Sequence, residues 1–156
     1  MDWLIQLLHN PILITAVTSW TIAQVLKVII NAIINKEFSI ERLFGDGGMP
    51  SGHSATVTSM ATVTALIYGL GSFEFAVTAV LAIIVCHDAT GVRQETGKQA
   101  VLINEIVEII EAFEALGKAD LPEVKLKEFV GHTPIQVAVG IALGIANAFV
   151  MYYLVF

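Results

Sequence analysis

The sequence predicts an all-α, polytopic membrane bundle of about four spans, with one amphipathic helix outside the bilayer. Three observations carry that expectation. The chain is 56% apolar and only 14% charged over 156 residues, with a mean hydropathy of +0.77. A soluble domain of that size has too little interior to hide so much apolar surface. Four apolar stretches approach the roughly 20 residues that cross a bilayer core. All eight Lys and Arg, among them Lys36, Lys118, Lys125 and Lys127, belong to one side of such a four-span arrangement. By the positive-inside rule that side is cytoplasmic.

Taken in order, residues 3–8 form a short amphipathic piece suited to the membrane interface. The first span, 11–34, opens on Pro11, and the second, 55–70, is short unless its helix starts in the Pro50-Ser51-Gly52 turn. Residues 69–72, Gly-Leu-Gly-Ser, allow only a tight helical hairpin before the third span, 73–92. Within the polar segment 94–133, residues 100–116 set Val101, Ile103, Ile106, Val107, Ile110 and Phe113 against Glu105, Glu108, Glu111 and Glu114. That is helical periodicity with one acidic face, expected to pack on the membrane domain and to avoid anionic lipid. A loop over 117–124 follows, and 134–156 is the fourth span.

The whole reads as a single domain. A formal charge of -6 argues against a nucleic-acid partner. Cys86 is the lone cysteine and can form no intrachain disulfide. Asp2 and Trp3 do not make the basic start of a cleaved signal. Four spans make a thin bundle, and a homodimer is one assembly that stays open.

The stretch Gly47-Gly48-Met49-Pro50-Ser51-Gly52-His53-Ser54 is a glycine-rich turn running into an apolar helix. Its glycines let several N–H groups converge, and a helix N-terminus near Ser51 adds donors and a positive dipole end. His53 stands at the mouth of that anion site with a proton to exchange. A capped loop with an incidental histidine describes the same local residues. A second turn, His132-Thr133-Pro134, repeats the arrangement before the fourth span, with Gln136 at i+4 within reach of the imidazole. The third span ends in His87, Asp88 and Arg93, crowding charge onto a membrane helix end. Lys27, flanked by Gln24 and Asn31, lies about 10 Å of helix inside the first span, where a cation usually faces a polar cavity.

His53, His132, Lys27, Arg93 and Arg42 can meet at one depth. Two histidines with several cations suit phosphoryl transfer through a phosphohistidine: one imidazole attacks phosphorus, the other protonates the leaving oxygen, and cations hold the remaining oxygens. That chemistry calls for no metal and no cofactor. A metal site from His53, His87, His132 and Asp88 lacks the usual close ligand spacing.

Pro50-Ser51-Gly52-His53 and the run from His132 to Gly140 resemble the second and third motifs of the type 2 phosphatidic acid phosphatases, a superfamily that includes vanadium-dependent haloperoxidases. The full glycine-rich stretch, with Asp88-Ala-Thr-Gly91-Val-Arg93 and Gly97-Lys98-Gln99-Ala100, resembles its divergent small membrane branch, described as acid phosphatase/haloperoxidase-related. The resemblance implies His132 as nucleophile, His53 as general acid, Ser51 and Gly52 as the phosphate-binding turn, and Lys27 as the first-motif lysine. Asp88, His87 and Lys98 are candidates for the groups surrounding that set. Three departures stand out. Ile34 and Asn35 occupy the place of the first-motif Arg-Pro, with Arg42 a candidate replacement. Leu126 occupies the place of the third-motif arginine, a role Arg93 fills if 94–131 is a cytoplasmic insertion. Gln136 stands where the family has an aspartate; a neutral amide orients an imidazole without stabilising its cation.

The resemblance thus implies an integral membrane phosphatase acting on a lipid or isoprenoid phosphate or diphosphate from the cytoplasmic face. Gln136 and the displaced arginines motivate an alternative, a non-catalytic lipid-phosphate-binding or scaffold protein. A small transporter component rests on Lys27 alone.

Overall fold

A computed structural model describes residues 2–36, 48–114, 126 and 131–156. Among these the chain is helical: α1 (Asp2–Leu8), α2 (Pro11–Asn35), α3 (Gly52–Tyr68), α4 (Phe73–Thr90), α5 (Val92–Glu114) and α6 (Pro134–Leu154). The helix ends follow from local chemistry. Asn10 caps α2, its side-chain oxygen accepting from Ile12 N and Leu13 N at 3.0 and 3.1 Å, and Pro11 needs no donor at the first position. Ser51 and Ser72 cap α3 and α4 in the same way. Gly69 ends α3 at φ 85°, a backbone angle closed to most side chains.

Among the described residues three runs are long and apolar enough to cross a membrane: Pro11–Ile34, Phe73–Ile110 and Pro134–Leu154. The second of these is α4 continued into α5 past Gly91. Helix α3 has 17 residues, about 25 Å at 1.5 Å per residue, somewhat less than a bilayer core. It starts inside the Ser51 turn and is the axle of the bundle, packed against α2, α4 and α6. Apart from Val57 and Val63 its buried residues are small or hydroxylated, including Ser54, Ala55, Ser59, Ala61 and Thr64, which lets neighbouring backbones approach closely.

The α3–α6 seam shows how close. A Cβ on Gly140 would lie 2.5 Å from Ser51 O, and one on Gly144 would lie 2.5 Å from Ala55 O. Two glycines four residues apart thus receive the stripe Ser51, Ala55 and Ser59 of α3, the small-xxx-small packing of membrane helices. Deeper in the bundle, Asn147 Nδ2 donates to Ser19 Oγ at 2.7 Å and to Thr18 Oγ1 at 3.1 Å, while Ser59 Oγ donates to Thr56 O at 2.9 Å. These polar groups find their partners inside the protein, as the absence of water at that depth demands. Replacing Asn147 with Leu should lower the melting temperature in detergent, since it strands Ser19 and Thr18 oxygens at α6. An unchanged melting curve would show that the network adds nothing to the α2–α6 contact.

Two expectations about the amphipathic helix need correction. It begins at Val92, eight residues before position 100: no proline lies between Arg93 and Gln99, the helix carries Gly97 in its interior, and Lys98 pairs with Glu95 one turn apart at 2.6 Å. It does pack on the membrane domain, chiefly through α4, but the apolar face is not covered as expected: Leu102, Ile103, Ile106 and Ile109 stay exposed. Asn104 is buried and tethers the returning chain: its amide gives a hydrogen bond to Leu126 O and takes one from Leu126 N, both at 3.0 Å.

Candidate active site at the paired helix N-termini

The two histidine turns are held together by backbone. Ser51 N donates to Gln136 O at 3.0 Å, joining the cap of α3 to the first turn of α6. Gly140, one turn further along α6, lies on the Ser51 carbonyl. His53 is half-buried in the first turn of α3, and His132, 2% exposed, stands immediately before the Thr133 cap of α6. Their ring centroids are 6.2 Å apart with planes at 88°, an edge-to-face arrangement. At that separation one phosphoryl group can be reached from both rings.

A third segment closes on the same place. His132 N donates to Ala89 O at 3.0 Å, fixing the turn to the end of α4. Gly131, at φ 93°, packs on the backbone of Arg93 and Gln94: a Cβ there would lie 2.6 Å from Arg93 O and closer still to Gln94 N. Arg93 is therefore adjacent to the His132 turn through its main chain. Its Nε donates to Asp88 Oδ2 at 2.7 Å, an ion pair whose side chains are about two-fifths exposed and which contributes little to stability. Gly131→Ala meets both obstacles, a left-handed backbone and a backbone wall. We expect it to cost at least about 1–2 kcal/mol and to displace His132; a variant with wild-type melting temperature would contradict the close approach.

Lys27 is 3% exposed on α2. Its aliphatic stem lies on Gly48, where a Cβ would come within 3.2 Å of Lys27 Cγ, and Gly48 takes φ 96°. Beside it opens a cavity of about 320 Å³ lined by Lys27, Ile30, Asn31, Met49, Ile135 and Gln136, among others. Polar and apolar groups share this wall. One turn back on α2, Gln24 and Trp20 lie against Gly52, the first residue of α3; a Cβ on Gly52 would come within 3.9 Å of Gln24 Cδ. Ser51 Oγ accepts from Ser54 Oγ at 3.0 Å and from Ser54 N at 3.3 Å, so the hydroxyl serves the cap.

The family follows from one comparison. The model of the divergent PAP2 family matches residues 8–147, a span holding Lys27, both histidine turns and Arg93. The chain belongs to the divergent PAP2 family. It is 41% identical over 155 residues, 95% of its own length and 98% of the relative's, to YuiD of Bacillus subtilis strain 168, described as an uncharacterized membrane protein. No solved structure matches.

Within this divergent PAP2 protein the remaining expected residues are distributed unevenly. Gln136 is in the first turn of α6, but its side-chain oxygen accepts from Thr133 N at 3.0 Å while Gln136 N donates to Thr133 Oγ1 at 3.4 Å. This is a reciprocal capping box, so the amide oxygen serves the helix start and not the His132 ring. The Thr-x-x-Gln signature was its signal in the sequence. His87 is exposed on α4, and Lys98 is exposed and paired with Glu95, so neither joins the His53–His132 pair. Arg42 and Gly47 lie outside the described residues. Among the described residues no three of His, Cys, Asp and Glu gather closely enough to hold a metal ion.

Proposed function

We propose that this divergent PAP2 protein is an integral membrane phosphatase hydrolysing a lipid or isoprenoid phosphate or diphosphate on the cytoplasmic face. The single observation that carries the reading is the pair of imidazoles 6.2 Å apart at the N-terminal ends of two packed helices. His132 attacks phosphorus, forming a P–N bond as the P–O bond to the leaving group breaks. His53 gives its proton to that leaving oxygen. In the second half, His53 takes a proton from water, which attacks the phosphohistidine and frees inorganic phosphate and His132. Lys27, the N–H of Gly52 at the start of α3 and Arg93, once turned from Asp88, hold the three remaining oxygens, while the Ser51 N–H stays on Gln136 O and fixes the turn. The mixed lining of the neighbouring cavity supports an amphiphilic substrate. The placement of Lys and Arg supports the cytoplasmic orientation.

Purified protein should release phosphate from such lipids, keep that activity in EDTA, and lose it to vanadate, which mimics five-coordinate phosphorus. Loss of activity in EDTA with recovery on adding a divalent ion would overturn the metal-free route.

A second reading has its own observation. With Gln136 in place of aspartate and its oxygen engaged by Thr133 N–H, no carboxylate supports the His132 cation from that position. A protein that binds lipid phosphate without turning it over would show lipid binding and no phosphate release.

A further inference from the structure

Gln24 faces the first turn of α3 and is only 8% exposed, yet its Oε1 has no hydrogen-bond partner among the described residues. A buried acceptor left unmade costs on the order of 1–3 kcal/mol, a cost a purely structural position avoids by carrying Leu or Met. The side chain is not stranded in an apolar region. Its amide carbon lies by Gly52, and Lys27 follows one turn along the same face of α2. The surroundings are made for an anion: helix N–H groups and a lysine offer donors, which a phosphate's oxygens accept. An acceptor in that position answers the opposite need. It takes a hydrogen from the one kind of phosphate oxygen that can give one.

We propose that Gln24 Oε1 accepts a hydrogen bond from a protonated phosphate oxygen, so that the site selects terminal phosphoryl groups carrying a P–OH. The inference rests on the phosphate-site reading above and narrows its ligand class. Monoesters and the terminal phosphate of a diphosphate can present that proton. Phosphodiesters and sulfate, with no acidic proton at near-neutral pH, cannot. Discrimination arises because a ligand without the proton leaves Gln24 unpaired and sets its oxygen against an anionic oxygen.

The test is binding, read without turnover. Thermal stability of the detergent-solubilised protein is titrated with inorganic phosphate and, separately, with sulfate at mildly acidic pH, for wild type and Gln24→Met. Wild type should bind phosphate about tenfold more tightly than sulfate, equivalent to about 1.4 kcal/mol. Gln24→Met should melt no lower than wild type without ligand, because it removes an unpaired oxygen, and should bind the two anions equally. If wild type binds both anions equally, or Gln24→Met keeps the contrast, the role of Gln24 is overturned while the anion site stands. If neither anion stabilises wild type, the phosphate site itself fails, and the inference with it. The wild-type contrast decides the matter even if Gln24→Met does not fold.

Discussion

Replacing His132 with Ala should abolish phosphate release, by at least about a thousandfold, while leaving lipid-phosphate binding within a few-fold of wild type. Loss of a covalent nucleophile removes the reaction path itself, whereas Lys27 and the N–H groups at α3 still hold the anion. His132 is 2% exposed in a turn fixed by its own N–H to Ala89 O, so truncation leaves a small cavity without releasing the backbone. The loss should therefore appear in kcat, with KM changed little. His53→Ala should retain part of the rate for substrates with a good leaving group, since such a group departs without a proton. Equal loss for good and poor leaving groups would remove His53 from the role of acid.

Gly140→Leu should be the most damaging change away from the histidines. Even the first added carbon would meet Ser51 O at 2.5 Å, and the contact is backbone, which cannot rotate aside. Overpacking of this kind costs about 1–3 kcal/mol, and a Leu side chain at a glycine seam belongs at or beyond the upper end. Function should fall further than stability. The Ser51 N to Gln136 O bond sits one turn away, so pushing α6 outward moves His132 relative to His53. A Gly140→Leu protein that melts and turns over like wild type would show that the two turns are not aligned by this seam.

Much of this arrangement was legible in the sequence, and the physical reason differs by element. The membrane helices were visible because composition alone forces apolar runs of that length into lipid. The caps at Ser51 and Thr133 were visible because a hydroxyl before an apolar run has a local use, and Pro134 marks the first turn. The start of α5 was less legible, since the polar run over 94–99, with Gly97 inside it, suits a loop as well as a helix and only the observed structure shows the helix passing through. Gln136 shows two local rules in competition. Its i+4 relation to His132 suits the imidazole and its i+3 relation to Thr133 suits a capping box, which was not among the expectations; the structure has the second for its oxygen. That Arg93 and His132 share one depth follows from the span pattern, but the close backbone contact between them does not. It depends on Gly131 having no side chain where the Arg93–Gln94 backbone passes, and only the tertiary fold shows that neighbour.

The central proposal is that His132 becomes phosphorylated. The direct measurement is an alkaline quench of wild-type protein reacting with lipid phosphate labelled on phosphorus, followed by peptide mapping of the protein-bound label. The account predicts an alkali-stable, acid-labile label on His132, absent from His132→Ala and prevented by vanadate. Steady phosphate release with no label on His132, or an acid-stable label residing on Ser51, would contradict it.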